Sequence, residues 1–365
     1  MNELTRIISE VIRVDQRWLQ KAAERQNRLT KPPKSLGKLE EISCRMAAIQ
    51  QTLSPRVDRK RVVVFAGDHG VTEEGVSPYP SEVTAQMVAN FLRGGAAINA
   101  VAKTVGAELV IVDAGVASPV PSIAVINQAV SFVQKPLRRG TRNFLKEPAL
   151  TVEETLHAVL LGCEMAHEAK RAGVNLIGGG EMGIGNTTSA SAVTAALTSS
   201  PATAVTGRGT GVDDAALARK RTVVEQGVRL HALESNDALR ILQCVGGLEL
   251  AGLAGLCLGA AANGIAIVCD GFIATASAAV AVRLCPAVAD YLFAGHLSTE
   301  PGHAIALEVL DRKPLLHLDM RLGEGTGAAL AMAVIDAAVQ TFVQMATFES
   351  AGVSDKQETA QKASR

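Results

Sequence analysis

Val174-Asn175-Leu176-Ile177-Gly178-Gly179-Gly180-Glu181-Met182-Gly183-Ile184-Gly185-Asn186-Thr187-Thr188-Ser189 is the stretch whose reading decides the fold. Read locally it is a short strand ending at Ile177, a glycine loop from Gly178, and a helix capped by Asn186 or Thr187. Glycines let backbone approach a ligand and adopt φ > 0, and the first N–H groups of a helix have no partner within it. Such a start suits an anion. Gly178, Gly180 and Gly183 spell G-x-G-x-x-G, but the acid expected about 20 residues on for a ribose hydroxyl is missing. That region reads Ser199-Ser200-Pro201-Ala202-Thr203. No Gly-Lys-Ser/Thr follows the glycines either, so a standard dinucleotide site and a Walker loop are both excluded. Two readings stay open: an anion site at a helix start, or a tight strand-to-helix turn with no ligand.

Working outward, short β-branched runs recur at Val62-Val63-Val64-Phe65-Ala66, Leu109-Val110-Ile111-Val112 and Ile265-Ala266-Ile267-Val268. Continuous apolar runs of this length mark strands buried on both faces. Helical patterns separate them at residues 81–92, 152–172 and 248–262. The alternation predicts an α/β fold, a doubly wound, mostly parallel sheet with helices on both faces. Acids close to glycine follow the strands, with Asp68 after Gly67, Asp113 before Gly115 and Asp270 before Gly271. Open parallel sheets bind ligands beyond these carboxyl ends. At the amino end, residues 1–30 read as one helix, broken by Lys31-Pro32-Pro33-Lys34-Ser35 before a second helix over 37–51. An apolar helix is expected over 328–345. The predicted organisation is a small helical domain from residues 1–55 with about 328–350, a large α/β domain over 56–327, and a polar, disordered tail over 351–365.

Composition narrows the class. The chain has 365 residues, 48% hydrophobic and only 3% aromatic, with 36 charges of each sign. Alanine, glycine and valine in place of aromatics point to closely packed helices and sheet. A neutral chain with no basic run interleaved with aromatics argues against nucleic acid as a partner. Six cysteines stand singly, mostly in apolar segments, and read as buried reduced thiols of a cytoplasmic protein. The first residues lack the apolar run of a signal peptide, and the tract over 250–262 is too short to span a bilayer. A soluble protein is expected.

Glu324, in Arg321-Leu322-Gly323-Glu324-Gly325, is the leading catalytic candidate because glycines on both sides open a carboxylate to close approach. The competing role is to stabilise the start of the following helix, which would lower its pKa, whereas burial would raise it. Glu181 has a similar claim. Thr206-Gly207-Arg208-Gly209-Thr210-Gly211 leads into a helix carrying Arg219-Lys220-Arg221, with Asp213 as its cap, and could complete a phosphate site begun at the first glycine loop. Asp68-His69 with Glu73 and Glu74 lacks the ligand spacing of zinc or magnesium sites and reads as a hydrogen-bonded loop. His296 and His303 are candidates for acid/base groups, with loop scaffolding as the preferred reading. No G-x-S-x-G supports a serine triad.

Taken together, Lys31-Pro32-Pro33 with Ser35-Leu36-Gly37, Gly67-Asp68-His69-Gly70-Val71, the segment 180–188, Asp270-Gly271-Phe272 and Arg321-Leu322-Gly323-Glu324-Gly325 resemble, in order, the nicotinate-nucleotide:dimethylbenzimidazole phosphoribosyltransferases. The resemblance covers most of the chain. It implies Glu324 as the general base that takes the proton from the attacking benzimidazole nitrogen, and Gly183, Asn186, Thr187, Gly207 and Lys220 around the nucleotide phosphate. Tyr79, Ser81, Gln86, Ser298 and Leu322 would border the base sites, with Glu181 helping an oxocarbenium-like transition state. It also implies nicotinate mononucleotide and dimethylbenzimidazole as substrates, inversion at the anomeric carbon, no cofactor or metal, and a homodimer. The alternatives are a nicotinate-nucleotide-binding sensor or carrier without chemistry, and a nucleotide hydrolase in which water replaces the base.

Overall fold

The structure, a computed structural model, describes residues 3–120 and 130–354. Six strands form one sheet: β1 Lys60–Gly67, β2 Ala107–Gly115, β3 Val130–Gln134, β4 Leu176–Met182, β5 Ala266–Cys269 and β6 Leu292–Ala294. Their order is β3-β2-β1-β4-β5-β6, and every pairing is parallel. The sheet is therefore the doubly wound arrangement expected from the alternating pattern. Strand order reverses between β1 and β4, which opens a crevice at their carboxyl ends. β3 and β6 were not legible in the sequence. The first is a half-exposed edge strand with polar Ser131 and Gln134, and the second is three residues long.

The glycine stretch divides differently from the expectation. Gly178, Gly179 and Gly180 lie inside β4, not in a loop. A Cβ on Gly178 would stand 2.9 Å from Met332 Cε and 3.2 Å from Ala328 Cβ, on helix Thr326–Gln344. On the opposite face, a Cβ on Gly179 would stand 2.8 Å from Leu253 Cδ2, on helix Leu248–Ala262. Successive strand residues point to opposite faces, so these glycines let a helix press close on each side of the sheet. The loop between β4 and the next helix is confined to residues 183–185. Gly185, at φ +97°, is the residue before helix Asn186–Thr198. Asn186 is thus the first helical residue and not its cap, and its amide turns to Glu181.

Small residues also set the helix packing. A Cβ on Gly162, in helix Val152–Arg171, would stand 1.9 Å from the Gly252 carbonyl oxygen, and one on Gly255 would stand 1.8 Å from that of Val159. The two helices touch backbone to backbone, which is why the interior carries so few aromatics.

The chain falls into two compact units. The larger comprises residues 3–14 and 57–333, and the smaller comprises 15–56 and 334–354 among the described residues. The single amino-terminal helix expected from the sequence is two, Glu3–Glu10 and Gln16–Arg28. Asp15 ends the break between them by accepting the Arg17 N–H at 2.9 Å. Residues 3–14 group with the larger unit and not with the chain-end unit, because Leu4 and Ile7 are buried there and Tyr291 donates its hydroxyl to the Ile12 carbonyl at 2.8 Å. In the smaller unit Ala22, Ala47 and Phe342 form the core, with Arg25 over the Phe342 ring. The unit boundary falls within helix Thr326–Gln344. That helix is long and apolar enough to cross a membrane, but 56% of its apolar window is buried in the protein, as in an interior helix. Most of the expected tail, residues 355–365, lies outside the described residues.

Candidate active site

A cavity of about 420 Å³ opens at the carboxyl end of the sheet. This size suits a small organic ligand. Glu324, Glu181, Gly183, Asn186, Thr187 and Ser298 line it, with Tyr79 and Leu322 among its more exposed residues. Gly207 and Lys220 stand just behind this lining, in contact with Glu300 and Thr187 respectively. Two expected residues do not reach the cavity. Ser81 precedes helix Glu82–Arg93 and Gln86 is exposed, while Val83 and Met87, one helical turn apart, present the helix to the cavity instead.

Three consecutive residues, Gly323, Glu324 and Gly325, hold φ of +82°, +62° and +84°. A left-handed backbone at a residue with a side chain costs about 1 kcal/mol or more and persists where surroundings enforce it. Two contacts enforce it here. Gly180 of β4 is so close that a Cβ would stand 2.5 Å from Gly325 N, and Asp270 accepts N–H groups from Gly325, Gly327 and Ala328 at 3.2, 2.6 and 2.9 Å. Asp270 thereby performs the helix-start role that competed for Glu324. Glu324 is only 5% exposed, and its Oε2 is buried with no hydrogen-bond partner among the described residues. Burial raises its pKa, opposed by the Ile98 N–H and reinforced by the Asp270 charge.

Glu181, at the end of β4, accepts a hydrogen bond from Asn186 Nδ2. A Cβ on Gly323 would stand 2.2 Å from its Oε1, so the two glutamate-bearing segments are packed together. Burial first, then the charges of Asp270 and Glu249, push its pKa up to about 8, against the Asn186 hydrogen bond. Glu324 adds to the rise.

On the other side of the cavity, Lys220 Nζ donates to Thr187 Oγ1 at 2.7 Å from helix Asp214–Leu230, which Asp213 caps through the Ala216 N–H. Burial pulls the lysine down to about 8, with Glu300 opposing. Arg321 Nη1 donates to the Gly209 carbonyl at 2.8 Å. Ser298 donates its backbone N–H to His303 Nδ1 at 2.8 Å, so the His303 proton is on Nε2, facing Thr275 Oγ1 at 2.9 Å. Burial drives the His303 pKa down to about 3, leaving a neutral ring that fixes the loop. The other histidine, His296, lines the cavity with Nε2 3.9 Å from Asp270 Oδ1. Sequence reasoning assigned no role to Arg321 or Glu300, because nothing local shows that their loops converge on Gly209.

Asp68 and His69 frame the glycine loop. Ile184 N–H donates to Thr84 Oγ1 at 3.1 Å, and that hydroxyl donates to Asp68 Oδ1 at 2.6 Å. His69 lies between Glu249 Oε1 at 2.5 Å and Ser189 Oγ at 2.9 Å. Glu73 pairs with Lys146 at 2.6 Å, and Glu74 accepts from Asn143 at 2.6 Å.

A family model described as phosphoribosyltransferase matches residues 11–353. The nicotinate-nucleotide–dimethylbenzimidazole phosphoribosyltransferase of Chloroflexus aggregans is 51% identical over 98% of this chain and 100% of its own length. The chain belongs to this phosphoribosyltransferase family. Another phosphoribosyltransferase of the same name, from Geobacter sulfurreducens, is 50% identical over 97% of this chain and 99% of its own. The crystal structure of CobT from Thermus thermophilus superposes with a TM-score of 0.88 at 47% identity, covering 93% of this chain and 100% of that one. The phosphoribosyltransferase fold is thus shared over nearly the whole length.

Proposed function

We propose that this chain transfers the phosphoribosyl group of nicotinate mononucleotide to dimethylbenzimidazole, releasing nicotinate and giving α-ribazole phosphate with inversion at the anomeric carbon. Family membership supports the reaction, and the observation that carries the site is Glu324, which lines the cavity with one carboxyl oxygen left unpartnered among the described residues, on a turn held by Gly180 and Asp270. The bond from ribose C1′ to the cationic pyridine nitrogen breaks and its electron pair neutralises that nitrogen. The azole lone pair forms the new C–N bond from the opposite face. The azole N–H proton passes to Glu324, whose burial-raised pKa makes it a stronger base than an exposed carboxylate.

Glu181 carries its proton in the free protein near neutral pH, which differs from the ready-made carboxylate expected beside the ribose. A bound pyridinium ribosyl group favours the charged form, so Glu181 ionises as the cation arrives and then faces the positive charge that develops at C1′. Gly183, Asn186, Thr187, Gly207 and Lys220 hold the phosphate, with Arg321 beside them. The homodimer implied by the resemblance and the cytoplasmic location read from the cysteines belong to the same proposal, and sedimentation velocity checks the first.

Glu324→Gln keeps shape but cannot take the proton. We expect kcat to fall about 10²–10⁴-fold with KM for nicotinate mononucleotide nearly unchanged. With an acceptor already ionised at the assay pH the deficit should shrink. A folded variant with wild-type kcat would remove Glu324 as the base.

A further inference from the structure

Glu300, on the segment between β6 and helix Gly302–Leu310, lines the cavity and is 7% exposed. Its Oε1 accepts the Gly209 N–H at 2.9 Å, while its Oε2 is buried without a hydrogen-bond partner among the described residues. A Cβ on Gly207 would stand 2.1 Å from that free oxygen, so it presses on the loop that, together with Lys220 and Thr187, is assigned above to the phosphate. The charge acting on it comes from Lys220 of helix Asp214–Leu230, while the Glu300 backbone N–H donates to the Ser298 hydroxyl at 3.3 Å and Arg321 donates to the carbonyl of the same Gly209. A carboxylate oxygen without a donor in a site built for an anion is repulsive unless the anion brings a proton.

We propose that the free oxygen of Glu300 accepts a hydrogen bond from the protonated oxygen of a bound phosphate monoester, so that the site selects the phosphate monoanion over anions with no proton to give. Sulfate esters and sulfonates are rejected for that reason. A phosphate monoester loses its second proton at about pH 6, so affinity falls as pH rises above this. The inference rests on the phosphate assignment of the previous subsection.

The test is competition against nicotinate mononucleotide in the transferase assay, with inorganic phosphate and sulfate as probes at pH 6.5. Wild type should be inhibited at least ~10-fold more strongly by phosphate than by sulfate, as expected for a lost hydrogen bond to a buried charge. Glu300→Gln should collapse that ratio toward one, mainly by gaining sulfate affinity. Equal inhibition of wild type by both ions overturns the proposal without any variant, as does an unchanged ratio in Glu300→Gln. If Glu300→Gln weakens the nucleotide and its dephosphorylated riboside equally, the carboxylate meets the sugar and the proposal fails. Lys220→Ala separates this from failure of the phosphate assignment, since it should weaken the nucleotide far more than the riboside. Equal weakening there rejects the assignment itself.

Discussion

Glu181 faces three carboxylates, Asp270, Glu249 and Glu324, and has one side-chain donor in Asn186, so its high pKa follows from burial among like charges. Its effect on stability has a definite sign. The unfolded group titrates near ~4.3 and the folded one at about 8. Between those values the folded protein keeps a proton that the unfolded chain has lost, so this contribution is complete below ~4.3 and declines as pH rises to about 8. Glu181→Gln resembles the protonated form and leaves Asn186 an acceptor. Its Tm relative to wild type should therefore be higher at pH 8.5 than at pH 5, by a difference corresponding to a few kcal/mol at about 1.4 kcal/mol per unit. Parallel thermal melts at the two pH values check this, and an identical offset at both would show that Glu181 does not hold its proton. Glu324 differs in having an amide opposing the same burial and an oxygen left free, which suits it to receive a proton.

At the scale of elements, β4 is a strand of glycines because three neighbours press on it. Helix Leu248–Ala262 meets Gly179, helix Thr326–Gln344 meets Gly178, and the Glu324 turn meets Gly180. Gly179→Ala and Gly180→Ala should therefore behave differently. The first drives a methyl toward the flexible end of Leu253 and should cost stability, about 1–3 kcal/mol for overpacking, with kcat close to wild type. The second drives it into the backbone of Glu324 and Gly325, and should displace the turn, lowering kcat at least ~10-fold in protein that still folds, the cost of misplacing a catalytic group. Equal kcat losses in the pair would argue that β4 does not position the base. This division was only half visible in the sequence. The glycine cluster announced a close approach, but its partners are distant in the chain and no local pattern names them.

At the scale of the molecule, all six cysteines are free, five buried and Cys44 half-buried. Burial raises the Cys44 thiol to about 11 and the Cys163 thiol to about 12, which leaves little thiolate near neutral pH. An aromatic disulfide reagent at pH 8 should label the native protein slowly and all six positions rapidly in denaturant. Rapid labelling of two or more thiols in native protein would contradict this packing.

The sequence by itself determined the class of fold and the leading candidate base. β-branched runs alternating with helical patterns leave a parallel sheet as the way to bury both faces, and a glutamate between glycines is visible as a local exception. The tertiary structure alone decided which competing role each acid plays. Asp270, not Glu324, holds the start of helix Thr326–Gln344, because β5 delivers its carboxylate to three backbone N–H groups. Likewise Gly178 to Gly180 serve packing while Gly183 and Ile184 line the cavity, and Gln86 is exposed where Val83 and Met87 line it. The physical reason is the same throughout: a pattern of residue types fixes local conformation, but a carboxylate's partners, burial and pKa depend on groups brought together from distant segments.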